Sequence, residues 1–299
     1  MSASEIPVGR ADIDAAWARI AGHVRRTPVI DWTPPAGPRA DPVSLKLECL
    51  QHTGSFKPRG AFNNLLARTV PAGGVAAASG GNHGAAVAYA AARLGHRARI
   101  FVPMIASAPK VRKIRAAGAE VVVEGERYAD ALALCEAYQA ETGAIGVHAY
   151  DAALTIAGQG TVAREWAEQA GDLDTLLVAV GGGGLIAGIA AWHAGTATRV
   201  VGVEPEGARA LHAALAAGEP VDVAVESVAA DSLGAKRCGV LVHAIAAAAV
   251  DRVALVTDAA IEAAQALLWT DVQVATEPGG ATALAALMSG AYVPAPGER

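Results

Sequence analysis

From Val75 onward the chain alternates short apolar runs with longer Ala-rich stretches whose apolar positions recur at helical spacing. The runs Val75–Ala78, Ala98–Val102, Glu120–Val123, Ala144–His148, Thr175–Val180, Arg199–Val203 and Arg252–Val256 predict strands. Between them Ala85–Leu94, Ala108–Ala117, Tyr128–Thr142, Gly158–Gln169 and Leu185–Ala194 predict helices. Strands separated by helices of this length are joined by right-handed crossovers, so the fold class is α/β with a buried, mostly parallel sheet. Ahead of this pattern, Ala11–Val24 reads as an amphipathic helix, Thr33–Pro42 as a Pro-rich connection and Val43–Leu47 as a strand. Near the end a helix is expected from Asp258 to about Trp269, capped by Thr257 and with Asp258 favourably placed in its first turn. There is no fixed-period repeat and no sharp linker. The two domains suggested by 299 residues are therefore expected to interleave.

Composition narrows the function. A formal charge of −5, with no concentration of Lys and Arg, disfavours a nucleic-acid partner. Cys49, Cys135 and Cys238 are far apart and fit no metal spacing, which suits reduced thiols in a cytoplasmic chain. Met1–Ile20 carries Glu5, Arg10, Asp12 and Asp14 without an apolar core, so no signal peptide is expected. The uncharged stretch between Asp174 and Arg199 resembles a membrane span in hydropathy alone. Four consecutive glycines in it argue against one continuous helix, so no membrane partner is expected.

Three segments carry candidate chemistry. In Leu45–Asn64, Lys57 precedes Pro58, which disfavours the α region for the lysine and suits the first position of a following helix. Lys57 is thus expected at the end of a strand-like segment, held by stiff backbone on both sides. Most lysines are solvated surface residues. The flanking Gly54, Ser55, Phe56 and Gly60 set this one apart. Ser79-Gly80-Gly81-Asn82-His83-Gly84 joins a strand to a helix, where backbone amides attract a carboxylate or phosphate; a capped tight turn is the plain alternative. Gly181-Gly182-Gly183-Gly184 repeats that geometry before the helix at Leu185. Gly182-x-Gly184-x-x-Ala187 also satisfies a dinucleotide fingerprint, with Glu204 placed as a ribose-binding acid. A nicotinamide enzyme has no evident use for the lysine. A phosphorylated aldehyde cofactor, pyridoxal phosphate, needs an amine, an anion cradle and a second cradle for the substrate carboxylate.

The motifs TGSFKPRGAFN, SGGNHGAAVAYAA, AGQGTVARE (Ala157–Glu165), VGGGGLIAGIA and EPGGATALAAL (Glu277–Leu287) together resemble the threonine and serine dehydratase and serine racemase group of fold-type II pyridoxal-phosphate enzymes. The likeness runs in order over about Lys46 to Leu287. It implies two open, mostly parallel sheets flanked by helices. It also implies a large cofactor-binding domain from residues 1–72 and 150–299, and an inserted small domain, 73–149, carrying the substrate-carboxylate loop. By the same resemblance Lys57 is the Schiff-base lysine, Phe56 lies beside the ring, and Asn82 bonds the phenolic oxygen. Ser79, Gly80, Gly81, Asn82 and His83 grip the substrate carboxylate, and Gly181 to Gly184 hold the phosphate. The implied reaction is β-elimination on L-threonine or L-serine by a homodimer. A serine racemase, a dehydratase of another β-hydroxy amino acid such as hydroxyaspartate, and a catalytically silent binding protein are the alternatives.

Three departures from the group matter. Racemases carry a serine base immediately before Gly-Asn-His, where this chain has Gly80, which favours elimination. Members often bind Mg²⁺ or Ca²⁺ through an acid at the Glu204 position, a carbonyl at the Ala208 position and a second acid, which here is Ala210. A solvent-facing or capping acid is the equal alternative for Glu204. The terminal Ser-Gly-Gly-Asn-like turn that meets the pyridine nitrogen has no counterpart up to Arg299, so no residue is assigned to it. By resemblance Asp231 and Ser232 lie near the rim, and Arg127 or Tyr128 faces the substrate, the register being open between them.

Overall fold

The computed structural model describes residues 6–35 and 42–299. The chain opens with α1 (Arg10–Ile20), the strands β1 (Val29–Trp32) and β2 (Val43–Lys46), and α2 (Lys57–Leu66). It continues through β3 (Val75–Ala78), α3 (Asn82–Arg93), β4 (Ala98–Val102), α4 (Ala108–Ala116), β5 (Glu120–Val123), α5 (Tyr128–Thr142) and β6 (Ile145–Gly146). The remainder is α6 (Ala153–Ala170), β7 (Thr175–Ala179), α7 (Gly184–His193), β8 (Arg199–Pro205), α8 (Ala210–Ala217), α9 (Ala230–Leu233), α10 (Val240–Ala249), β9 (Arg252–Val256), α11 (Asp258–Val272) and α12 (Pro278–Ser289).

Two parallel sheets, ordered β5-β4-β3-β6 and β7-β8-β9, form the α/β frame expected from the pattern. Both are covered by helices, which is why β3 is buried at every residue and reads as an unbroken apolar run. β1 and β2 form a separate antiparallel pair, with Val29 opposite Lys46 and Trp32 opposite Val43. The first sheet shares a core with Ile20, Phe62 and Leu65 of α1 and α2. The second packs around Ile156, Val178 and Ile186 on one side and Val203, Ile261 and Leu284 on the other. No described helix is long and apolar enough to cross a membrane.

Glycines let the central helices meet backbone to backbone. A Cβ on Gly158 would stand 2.6 Å from Gly60 Cα, and one on Gly160 would stand 2.9 Å from Gly188 O. This brings α2, α6 and α7 together, and with them the start of α2 and the start of α7. Behind α2 lies a buried ion cluster. Arg59 donates to Glu48 at 2.7 and 2.8 Å and to Glu165 at 3.1 and 3.2 Å, while Lys46 bonds Glu165 at 2.5 Å. Burial works to raise Glu165, but the hydrogen bonds from Arg59 and Lys46 outweigh it and hold the carboxyl below its usual range.

Several boundaries differ from the pattern-based expectation. Lys57 is the first residue of α2 and does not end a strand; a 3-10 turn, His52–Gly54, precedes it. Ala144–His148 contributes only the two residues of β6, and α6 begins at Ala153, ahead of the expected Gly158. β1 has no counterpart in the pattern. Much of Thr33–Pro42 lies outside the described residues. The Thr257 cap is present, its hydroxyl accepting from Ala260 N at 3.2 Å.

Candidate active site

Lys57 opens α2 because Pro58, lacking an N–H, costs nothing in the first turn. Its Nζ donates to Ala149 O at 2.8 Å and stands 5.2 Å from the centre of the Phe56 ring. Burial lowers the amine's pKa to about 8, against the opposing charge of Glu277. At neutral pH this lysine is uncharged far more often than an exposed one.

The second segment turns from β3 into α3. Ser79 Oγ accepts from Gly81 N at 3.2 Å, and the helix begins at Asn82, three residues earlier than expected, so its first amides belong to Asn82, His83 and Gly84. Asn82 Nδ2 donates to Glu277 Oε1 at 2.6 Å. The His83 ring is buried against Val147 O at 2.8 Å; burial, aided by Lys57, lowers its pKa to about 3.

The third segment leads into α7, with Gly183 as its N-cap in the left-handed region at φ 91°. A Cβ on Gly181 would stand 2.8 Å from Leu233 Cα, and one on Gly182 would stand 2.2 Å from the Tyr150 ring. Only glycine fits there while Tyr150 and α9 lie against the loop. Phe56, Lys57, Ser79 to His83 and Gly181 to Gly184 line one cavity of about 920 Å³, which unites these sequence-derived candidates. Asp231 and Ser232 line it too, Asp231 pairing with Lys110 at 2.6 Å. Tyr128 lies in the wall, whereas Arg127 precedes α5 and is not part of it.

Glu204 and Ala208 are not brought to this cavity. The Glu204 carboxylate is buried and accepts from Leu211 N at 2.9 Å and His212 N at 2.8 Å, tying down the start of α8; burial raises its pKa to about 7 against those bonds. Its carboxylate is thus engaged by two backbone amides away from the cavity that holds Lys57. Among the described residues no group of three His, Cys, Asp or Glu is placed to hold a metal. The expected Mg²⁺ or Ca²⁺ does not fit this site.

Sequence reasoning gave Glu277 no role beyond opening the motif EPGGATALAAL, and it passed over Tyr150. Glu277 is the N-cap of α12, and burial raises its pKa against the Asn82 bond. Its one signal was an acid directly before Pro-Gly-Gly. Tyr150 packs on Gly182 and donates to Arg237 O at 3.3 Å.

Comparison with known proteins decides the family. Residues 20–295 match the family described as pyridoxal-phosphate dependent enzyme. The chain belongs to that family. Within it the enzyme is 41% identical to phenylserine dehydratase of Ralstonia pickettii over 286 residues, covering 94% of this chain and 87% of that protein. It is 37% identical to serine racemase of Oryza sativa subsp. indica, covering 93% and 83%. The solved T.th. threonine deaminase superposes with a TM-score of 0.89 at 37% identity, covering 96% and 94%. The chain is thus a pyridoxal-phosphate-dependent enzyme of the dehydratase and racemase family with the fold-type II architecture. Its cavity offers what the cofactor needs: a desolvated amine, an amide donor at Asn82, and a glycine-lined helix start.

Proposed function

We propose that this enzyme carries out β-elimination on a small β-hydroxy amino acid, converting L-threonine to 2-oxobutanoate and L-serine to pyruvate with release of ammonia. The reading rests on the buried Lys57 amine, with its pKa lowered to about 8, sharing one cavity with the starts of α3 and α7. Pyridoxal phosphate, when bound, supplies an aldehyde carbon and an electron-accepting ring. Lys57 would hold it through its amine, and Phe56 would lie beside the ring. The second N–H of Asn82 would donate to the phenolic oxygen, and the amides of Gly181, Gly182, Gly183 and Gly184 would take the phosphate. Ser79, Gly80, Gly81, Asn82 and His83 would receive the substrate carboxylate on the turn and first amides of α3. Lys57 Nζ, which burial makes easier to deprotonate than an exposed lysine, would accept the Cα proton in its uncharged form.

Residues 73–149 would act as the small domain closing on 1–72 and 150–299. The pairs Lys110–Asp231 and Asn82–Glu277, each at 2.6 Å, join the two sides of the cleft, and closure there would keep water from the reacting carbon. A homodimer in the cytoplasm belongs to the same reading, in keeping with the three free cysteines. Gly80 favours elimination over racemisation. Besides lacking a proton-moving group, it is packed so that a Cβ would stand 3.0 Å from Ala106 Cβ and 3.2 Å from Val102 Cγ1. The phenylserine dehydratase relative, together with an apolar wall beside Ala106, supports a second substrate, 3-phenylserine.

Purified enzyme given L-threonine and, separately, L-serine should yield 2-oxo acid and no D-serine on chiral chromatography. Failure to form 2-oxo acid from either would remove that assignment, and accumulation of D-serine would overturn the argument from Gly80.

A further inference from the structure

Between β6 and α6 the chain returns from the first sheet to the second through a short strap, residues 147–152. Its three leading carbonyls each take a donor from a different element. The His83 ring, in the first turn of α3, bonds Val147 O through Nε2 at 2.8 Å; a carbonyl only accepts, so that nitrogen carries the proton. Thr155 Oγ1 donates to His148 O at 3.0 Å, and Lys57 Nζ donates to Ala149 O at 2.8 Å. The strap then meets the glycine loop. A Cβ on Gly182 would stand 2.2 Å from Tyr150 Cδ1, and one on Gly184 would stand 2.9 Å from Tyr150 Cα, so the loop is shaped on the ring and backbone of Tyr150. Asp151 ties down the far end: its carboxylate accepts from Val240 N and Leu241 N at 2.9 Å and from Val242 N at 3.2 Å, capping α10. One short segment therefore touches the amine, the start of α3 and the glycine loop.

His148 gives the strap its bend. Its Nδ1 accepts from Asp151 N at 2.8 Å and from Tyr150 N at 3.3 Å, a side-chain turn of the kind Asn and Asp make on amides just downstream. Ala149 C=O and Tyr150 N–H belong to one planar peptide unit and point in opposite directions. Holding the N–H on His148 thus aims the carbonyl at Lys57. The His148 ring also meets the Tyr150 ring edge to face, with centroids 4.9 Å apart at 81°. His148 itself is exposed and is not part of the cavity wall, so its bonds, and not its burial, are what the strap draws from it.

We infer that His148 is a positioning residue for this enzyme: through the 149–150 peptide unit it aims Ala149 O at the Lys57 amine, and through Tyr150 it sets the glycine loop that would take the cofactor phosphate. It would touch neither cofactor nor substrate. The inference rests on the proposed role of Lys57 for its effect on turnover, and on the strap alone for its effect on the cofactor-free chain.

Two substitutions separate the acceptor from the ring. His148→Phe keeps the edge-to-face packing on Tyr150 and removes the acceptor, whereas His148→Asn puts a side-chain oxygen near the place of Nδ1 and removes most of the ring. In the full chain without cofactor, hydrogen exchange read by mass spectrometry should show the amides of Tyr150 and Asp151 exchanging about ten-fold faster in His148→Phe, the factor that one hydrogen bond of ordinary net strength supports, and at the wild-type rate in His148→Asn. His148→Phe should also bind pyridoxal phosphate about ten-fold more weakly. In the holoenzyme its kcat for the hydroxy amino acid turned over should fall about ten-fold or more with KM changed less than about two-fold, and His148→Asn should restore both affinity and kcat. Should the phenylalanine variant fail to fold, His148→Ala carries the same arm. Wild-type behaviour of His148→Phe would overturn the inference, and so would equal losses in both variants, which assign the effect to the ring. Faster exchange with unchanged cofactor affinity and kcat makes His148 structural only and overturns it as well. If no form of the enzyme yields 2-oxo acid, the elimination reading fails, while exchange and cofactor affinity still decide the role of His148.

Discussion

Lys57 illustrates how a single side chain can be costly to the fold and useful to the chemistry. Its amine has a pKa of about 8 in the folded protein and 10.5 as an ordinary lysine. Below pH 8 both folded and unfolded chains hold the proton, and the folded chain bears the full cost of burying a charge. Between pH 8 and 10.5 only the unfolded chain holds it, so stability gained by the wild type rises with pH across that window. Lys57→Met should therefore stabilise the cofactor-free protein at pH 7 by about 3 kcal/mol, and the advantage should shrink to nothing by about pH 10.5. Urea titrations at several pH values check this, and a pH-independent difference contradicts the buried amine. Gly80 carries the opposite lesson, because what matters there is the absence of a side chain. Gly80→Ser must push Ala106 and Val102 aside and should cost about 1–3 kcal/mol by the same titration.

At the scale of elements, the site depends on helices held at their starts. α2 is fixed by the Arg59 cluster, in which one guanidinium serves two carboxylates and Lys46 serves the second of them. Removing one partner leaves buried charge uncompensated. Arg59→Met should destabilise the fold by about 3–5 kcal/mol and loosen the position of Lys57 two residues away, seen as lower denaturant midpoint and weaker cofactor retention. The cap of α11 is a smaller, separable device. Thr257→Ala should cost about 1 kcal/mol with no change in cofactor retention, since Thr257 is not part of the cavity wall.

For the whole molecule, what the sequence discloses depends on how local the cause is. β3, β4, β5 and β9 have the limits expected from their apolar runs; β3 and β4 are buried between helix layers and need no partner-specific signal, while β5 is an edge strand with Glu120 and Val123 exposed. β1, four residues long with an exposed Asp31, exists only because β2 pairs with it. The glycine turns were legible because left-handed backbone and close approach leave a mark in composition. Glu277 left almost none. It meets Asn82 across 195 positions of chain, a proximity made by the fold alone. Glu204 misled for the converse reason: it sits where a ligand-binding acid would, but the return of α8 turns two backbone amides onto its carboxylate, away from the cavity. Across the cleft mouth, Lys110–Asp231 is largely solvated on the aspartate side. Asp231→Asn should change stability by less than about 1 kcal/mol, and the small effect should fade at high salt.

The claim on which the rest depends is that the cofactor's aldehyde carbon meets the amine at position 57. Borohydride reduction of the holoenzyme followed by peptide mass spectrometry tests it directly. The account predicts one reduced pyridoxyl phosphate group, on the peptide bearing Lys57 and absent from Lys57→Met; a protein left unmodified, or modified at another lysine, would contradict it.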